Sequence, residues 1–147
     1  MTKLHIDPWQ IVGDVVMLLA FIVIGEQDHG LLDDPAIVWT VLRAVIVFGL
    51  PWLGAALWCG ALVPVTRQGF WRWVAATVQA LLIALPLGIW LRALWLDRAV
   101  VPTLFISATL GFGTLFILGW RLVYGIWRVR AAGRLEPAGV EPMSASR

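Results

Sequence analysis

Residues 71–91 read WRWVAATVQALLIALPLGIWL, with no charge after Arg72. A helix that crosses about 30 Å of hydrocarbon needs about 20 predominantly apolar residues, and at about 1.5 Å per residue this run is long enough. Working outward, the same reading holds for Trp9 to Gly25, Ile37 to Val63 and Val100 to Trp127. The expected fold is all-α: a four-helix transmembrane bundle over residues 1–130, with spans at about 9–25, 37–63, 71–91 and 100–127. From Ala131 onward Gly, Pro, Ser and Glu replace the apolar pattern, so residues 131–147 read as a disordered cytoplasmic tail.

Composition agrees. Of 147 residues, 61% are hydrophobic and 14% charged, and the mean hydropathy is +0.86, which excludes an ordinary soluble domain. The net charge of +2 does not imply a nucleic-acid partner, because the basic residues cluster at span ends. Lys3, Arg67, Arg72, Arg128, Arg130 and Arg134 fall on one side, against Arg92 and Arg98 on the other. The positive-inside rule then places both termini in the cytoplasm, and the chain is expected in the cytoplasmic (inner) membrane. The loop from Glu26 to Ala36, acidic and without a basic residue, is expected outside.

Val15 to Ile24 has the length of a secretory signal, but Asp7 and Asp14 precede it and no small-x-small site follows, so it reads as a retained span. Asp34-Pro35 is expected to open the second span as N-cap and first helical residue. Pro51 and Pro86 remove backbone donors and predict kinks. A second span of 27 residues would be about 40 Å long, so tilt or a kink must absorb the excess. The lone Cys59 reads as a small packing residue.

Placed by depth, Trp9, Trp58, Trp71, Trp73 and Trp127 fall near one membrane boundary and Trp39, Trp90 and Trp95 near the other, as an aromatic belt does. Trp52 and Trp120 do not fit the belt; core packing is the plainer reading for them and stacking on a ligand the sharper one.

Charges inside spans are informative, since each costs about 2.5–3.5 kcal/mol at the helix centre even on the lenient insertion scale. Asp14 lies five residues past Trp9 and Arg121 six before Trp127, so the two reach matching depth with opposite sign. They form a candidate intramembrane ion pair, either structural or, in the sharper reading, proton-coupled. Ser107, Gly111, Thr114, Leu118, Arg121 and Gly125 follow at spacings of 4 and 3, a stripe expected to face protein. Ala80, Ala84 and Gly88, like Ala56 and Gly60, repeat every four residues as close-packing membrane helices do.

A candidate outer polar cluster comprises Glu26, Asp28 and His29 after the first span, Arg43 in the second and Arg92 at the end of the third. Glu26 and His29 have the spacing of a helical metal pair, but a metal needs three or four ligands and His5 lies at the other side, so a solvated cap is the plainer reading. No histidine pair for haem, intramembrane Lys, phosphate loop or catalytic Ser-His-acid set is visible. No enzyme activity, cofactor or metal is therefore expected.

Asp14, the Gly-Glu-Gln-Asp-His-Gly run from Gly25 to Gly30, Pro51-Trp52-Leu53-Gly54, Arg92 and Trp120-Arg121 together resemble a family of small four-span prokaryotic membrane proteins known only as a domain of unknown function. The resemblance covers about Trp9 to Tyr124. It implies an integral membrane bundle and no particular activity. The expected function is structural or accessory, with the lipid bilayer, further copies of the chain or a larger membrane protein as partners. The alternative is a proton-coupled carrier of a small solute, acting as an oligomer through Asp14 and Arg121.

Overall fold

A computed structural model describes residues 6–28, 35–97 and 102–135. The described chain is all-α, with α1 (Pro8–Asp28), α2 (Ile37–Trp58), α3 (Phe70–Trp95) and α4 (Thr103–Leu135). Each helix is long and apolar enough to cross a membrane, and large apolar side chains face outward along all four, as a lipid environment requires. The protein is a multi-pass membrane protein. Helix neighbours in sequence pack together and α4 closes the ring against α1; among the described residues the diagonal pairs make no close backbone approach and meet only through long side chains. The start of α1, the 59–69 connection and the end of α4 share one end of the bundle, here the terminal end.

Several boundaries differ from expectation for local reasons. The second span stops at Trp58 rather than continuing to Val63. Gly60 adopts φ +72°, and the amides of Gly60 and Ala61 donate to the carbonyls of Leu57 (3.2 Å) and Ala56 (2.8 Å). This is a Schellman ending, which closes the last carbonyls and turns the chain sharply. The excess length is thus absorbed by helix termination, and Ala61 and Leu62 fold inward to become buried. Helix α2 opens at Ile37 with Ala36 as its N-cap and no side-chain cap bond; Asp34 lies outside the described residues. Helix α3 runs on to Trp95. Helix α4 continues to Leu135, five residues into the stretch expected to be disordered; the rest of that tail lies outside the described residues.

Small residues set the seams. Lipid tails are as apolar as Leu, so membrane helices associate through close packing rather than hydrophobic burial. Ala55, Ala56, Ala80 and Ala84 join Trp52, Leu81 and Ile117 in the larger core cluster, and Val47, Phe48 and Ile89 form a second. Gly88 is buried because the Phe48 ring occupies its missing side chain's place: a Cβ there would come within 2.5 Å of that ring.

The expected stripe on α4 faces protein only in part. Leu118, Arg121 and Gly125 pack inward, whereas Ser107 and Gly111 are exposed, and a Cβ at Gly111 would touch nothing. The buried line runs instead through Thr109, Gly113, Ile117 and Arg121. Rows of spacing four are inclined to the helix axis, while the expected stripe, averaging about 3.6, runs nearly along it; the two meet only near Arg121.

Candidate functional site

Two helices carry polar residues at mirrored spacings. Asp7, Gln10 and Asp14 lie three and four apart at the start of α1; Arg121, Tyr124 and Arg128 lie three and four apart toward the end of α4. Because α1 and α4 are antiparallel neighbours, and residues three and four apart share a helix face, these two sets meet.

Asp14 and Arg121 are joined twice. Arg121 Nε donates to Asp14 Oδ1 at 3.0 Å and Nη2 to Oδ2 at 2.6 Å, the two-pronged geometry that makes Arg–carboxylate pairs strong. Arg121 Nη1 donates to the Ala61 carbonyl at 2.6 Å and to Thr77 Oγ1 at 3.2 Å. Trp52 Nε1 donates to Asp14 Oδ2 at 3.1 Å. The guanidinium carbon lies 4.9 Å from the Trp52 ring centre and 5.7 Å from that of Trp73, both within cation–π range. Arg121 is fully buried and Asp14 nearly so. Four hydrogen bonds leave this arginine, and both carboxylate oxygens accept, so each charge is neutralised by protein groups alone. All four helices contribute, together with the inward-folded turn after α2.

A second layer lies nearer the terminal end, and sequence reasoning missed it. Asp7, just before Pro8, accepts from the Trp9 amide at 3.1 Å, capping α1 with proline at the first helical position. Its other oxygen accepts from Tyr124 Oη at 2.7 Å and, at 3.5 Å, from Gln10 Nε2, with Arg128 Nη2 at 3.8 Å. Its own amide donates to the Leu62 carbonyl at 3.1 Å. Gln10, fully buried, donates to the Val63 carbonyl at 3.1 Å and accepts from Trp73 Nε1 at 3.2 Å. Thr77 donates to the Trp73 carbonyl at 3.0 Å and so links the two layers. The 3-and-4 spacing of Asp7, Gln10 and Asp14 was the available signal.

The tryptophans sort by face. Trp9, Trp39, Trp58, Trp71, Trp90, Trp95 and Trp127 are exposed, as a boundary belt requires. Trp73 is not a belt residue: it is buried and bonded to Gln10, because two positions along a helix from Trp71 means about 200° around it. Trp52 serves Asp14. Trp120 is half-buried, lies 5.4 Å from Tyr124 ring to ring and covers Gly13, where a Cβ would clash with its ring; its Nε1 is buried without a hydrogen-bond partner.

The candidate outer cluster is described only in part. Glu26 and Asp28 belong to the last turn of α1, but their side chains, like all of His29, lie outside the described residues. Arg43 is exposed on α2, and Arg92 is half-buried on α3 with its guanidinium 5.1 Å from the Phe105 ring centre. Among the described residues no group of three or more His, Cys, Asp or Glu could hold a metal ion. Cys59 caps α2 half-buried against the core.

Neither a curated protein nor a solved structure matches this chain. The sequence model of one family does, over residues 11–124, a stretch that holds Asp14, Trp52, Trp73, Thr77 and Arg121 and reaches into all four helices. By that match the chain belongs to the family described as Protein of unknown function (DUF3054).

Proposed function

We propose that this protein is a non-catalytic membrane protein of structural or accessory kind, housed in the cytoplasmic membrane with both termini on the cytoplasmic side. The observation that carries the reading is the closure of the Asp14–Arg121 layer. A carrier residue must exchange partners as its cargo moves, whereas Asp14 is held by Arg121 and Trp52 and Arg121 by Asp14, Thr77 and a turn carbonyl. Next to this layer lies a cavity of about 20 Å³ bounded by Met17, Phe21, Phe48, Trp52 and Phe116. Its lining is almost wholly apolar, and a cavity of this kind stays dry for want of polar partners. The arrangement suits a rivet that sets helix register better than a pathway.

The test is transport by purified protein in sealed vesicles under an imposed pH gradient with a panel of small solutes. No proton flux above that of protein-free vesicles is expected. Reproducible flux that vanishes in a folded Asp14→Asn variant would establish the carrier reading instead.

A further inference from the structure

The terminal end exposes five arginines: Arg67 in the 59–69 connection, Arg72 in the first turn of α3, and Arg128, Arg130 and Arg134 on α4. Among the described residues only Arg128 lies near a carboxylate, 3.8 Å from Asp7, and Asp7 is itself buried and turned inward. The flanking sequence adds Lys3 and Arg147 against Glu136 and Glu141, which cancel. The positive charges of Arg67, Arg72, Arg130 and Arg134 therefore have no counter-charge among the described residues.

Depth locates that charge. Trp9, Trp58, Trp71 and Trp127 are exposed at this end and mark the hydrocarbon boundary. Helix α4 alone continues past it, from Trp127 to Leu135, about 12 Å of helix at about 1.5 Å per residue. The headgroup layer is only about 5–8 Å thick on each side, so Arg128 and Arg130 stand at phosphate depth, while Arg134, about 10 Å past Trp127 along the helix, lies just beyond the layer and reaches it only through its long side chain. Arg67 and Arg72 flank Trp71 at the same boundary. Every residue of this group is Arg rather than Lys; the guanidinium fork binds two phosphate oxygens at once.

We propose that the terminal end of the bundle binds anionic phospholipid, selecting it over zwitterionic lipid through Arg67, Arg72, Arg128, Arg130 and Arg134. Zwitterionic headgroups offer the same phosphate but carry an ammonium that cancels the field, so selection comes from net charge and binding from the fork. The inference stands on exposed charge at a marked depth and is independent of whether the protein is an accessory or a carrier.

The experiment is native mass spectrometry of the full chain released from mixed micelles holding equal amounts of phosphatidylglycerol and phosphatidylcholine with the same acyl chains. Each basic residue near an anionic surface contributes roughly fivefold, so the parent should retain phosphatidylglycerol by about tenfold or more. The combined variant Arg67→Gln, Arg72→Gln, Arg130→Gln, Arg134→Gln, which spares the contact of Arg128 with Asp7, should lose most of that preference. The four corresponding Lys substitutions should keep most of it, added salt should weaken it, and Arg43→Gln at the opposite end should leave it intact. Equal retention of both lipids by the parent would overturn the proposal, and so would an unchanged preference in the Gln variant. Displacement of the lipid by millimolar glycerol phosphate would overturn it in favour of a site for free phosphate. Should the Gln variant fail to fold, the parent's own lipid ratio and its salt dependence decide.

Discussion

Asp14 and Arg121 show how an ionised pair persists at membrane depth. Each charge alone would cost about 2.5–3.5 kcal/mol, and their mutual contact, with Trp52, Thr77 and the Ala61 carbonyl filling the remaining directions, removes most of that cost. Breaking such a pair strands the survivor. Asp14→Asn or Arg121→Gln alone should therefore destabilise the protein by about 3–5 kcal/mol, whereas the double variant should recover at least about 1 kcal/mol relative to the sum of the two losses. Thermal unfolding in detergent, followed by tryptophan emission, measures this; strictly additive losses would remove the coupling. The pair was legible from depth and sign alone, because rise per residue is a fixed quantity. Its supporting groups were not: nothing along the chain announces that the Ala61 carbonyl, past the end of α2, turns back beneath the arginine.

At the scale of the element, a glycine's importance depends on what stands opposite it. Gly88 on α3 faces the Phe48 ring, and a Cβ would come within 2.5 Å of it. Gly111 on α4 faces open space. Gly88→Ala should thus destabilise the α2–α3 seam by about 1–3 kcal/mol through overpacking. Gly111→Ala should be neutral, or stabilise by up to about 1 kcal/mol through helix propensity. Unfolding midpoints of the two variants, measured side by side, check this, and equal midpoints would count against the seam. Gly88 sits in a four-residue repeat of small residues and Gly111 in a stripe of alternating spacings of four and three, so spacing alone marked both as facing protein. Apolar length found the spans for a different reason: it answers to lipid thickness, which is common to all four helices, while seam placement answers to one neighbour's side chain.

For the whole molecule, the exposed arginines at the terminal end that carry the proposed lipid preference also bear on the expected direction in the membrane. By the positive-inside rule that end is expected to face the cytoplasm. A reporter active only outside the cytoplasm should be silent when fused after Arg134 and active when inserted near Leu31. The reverse pattern would invert the bundle, and with it the leaflet in which Arg67, Arg72, Arg128, Arg130 and Arg134 meet anionic lipid. At this scale the closed ring of four helices and the apolar cavity beside the ion pair are the features behind the proposal that the protein acts through its surface rather than through its interior.

Sequence by itself determined the class of the protein, the number of spans and the Asp14–Arg121 pairing. Each follows from local quantities: runs of apolar residues against bilayer thickness, residue type against burial cost, and rise per residue against depth. Tertiary structure alone decided the second polar layer of Asp7, Gln10 and Tyr124, the inward position of Trp73 and the inclined buried face of α4. These depend on how helices rotate and cross, and in lipid that choice is made by shape and hydrogen bonding between neighbours. Apolar burial discriminates little between rotations in lipid, whereas the bonds of Gln10 to Trp73 and of Asp7 to Tyr124 depend on the rotation adopted, and that information is divided among segments more than sixty residues apart.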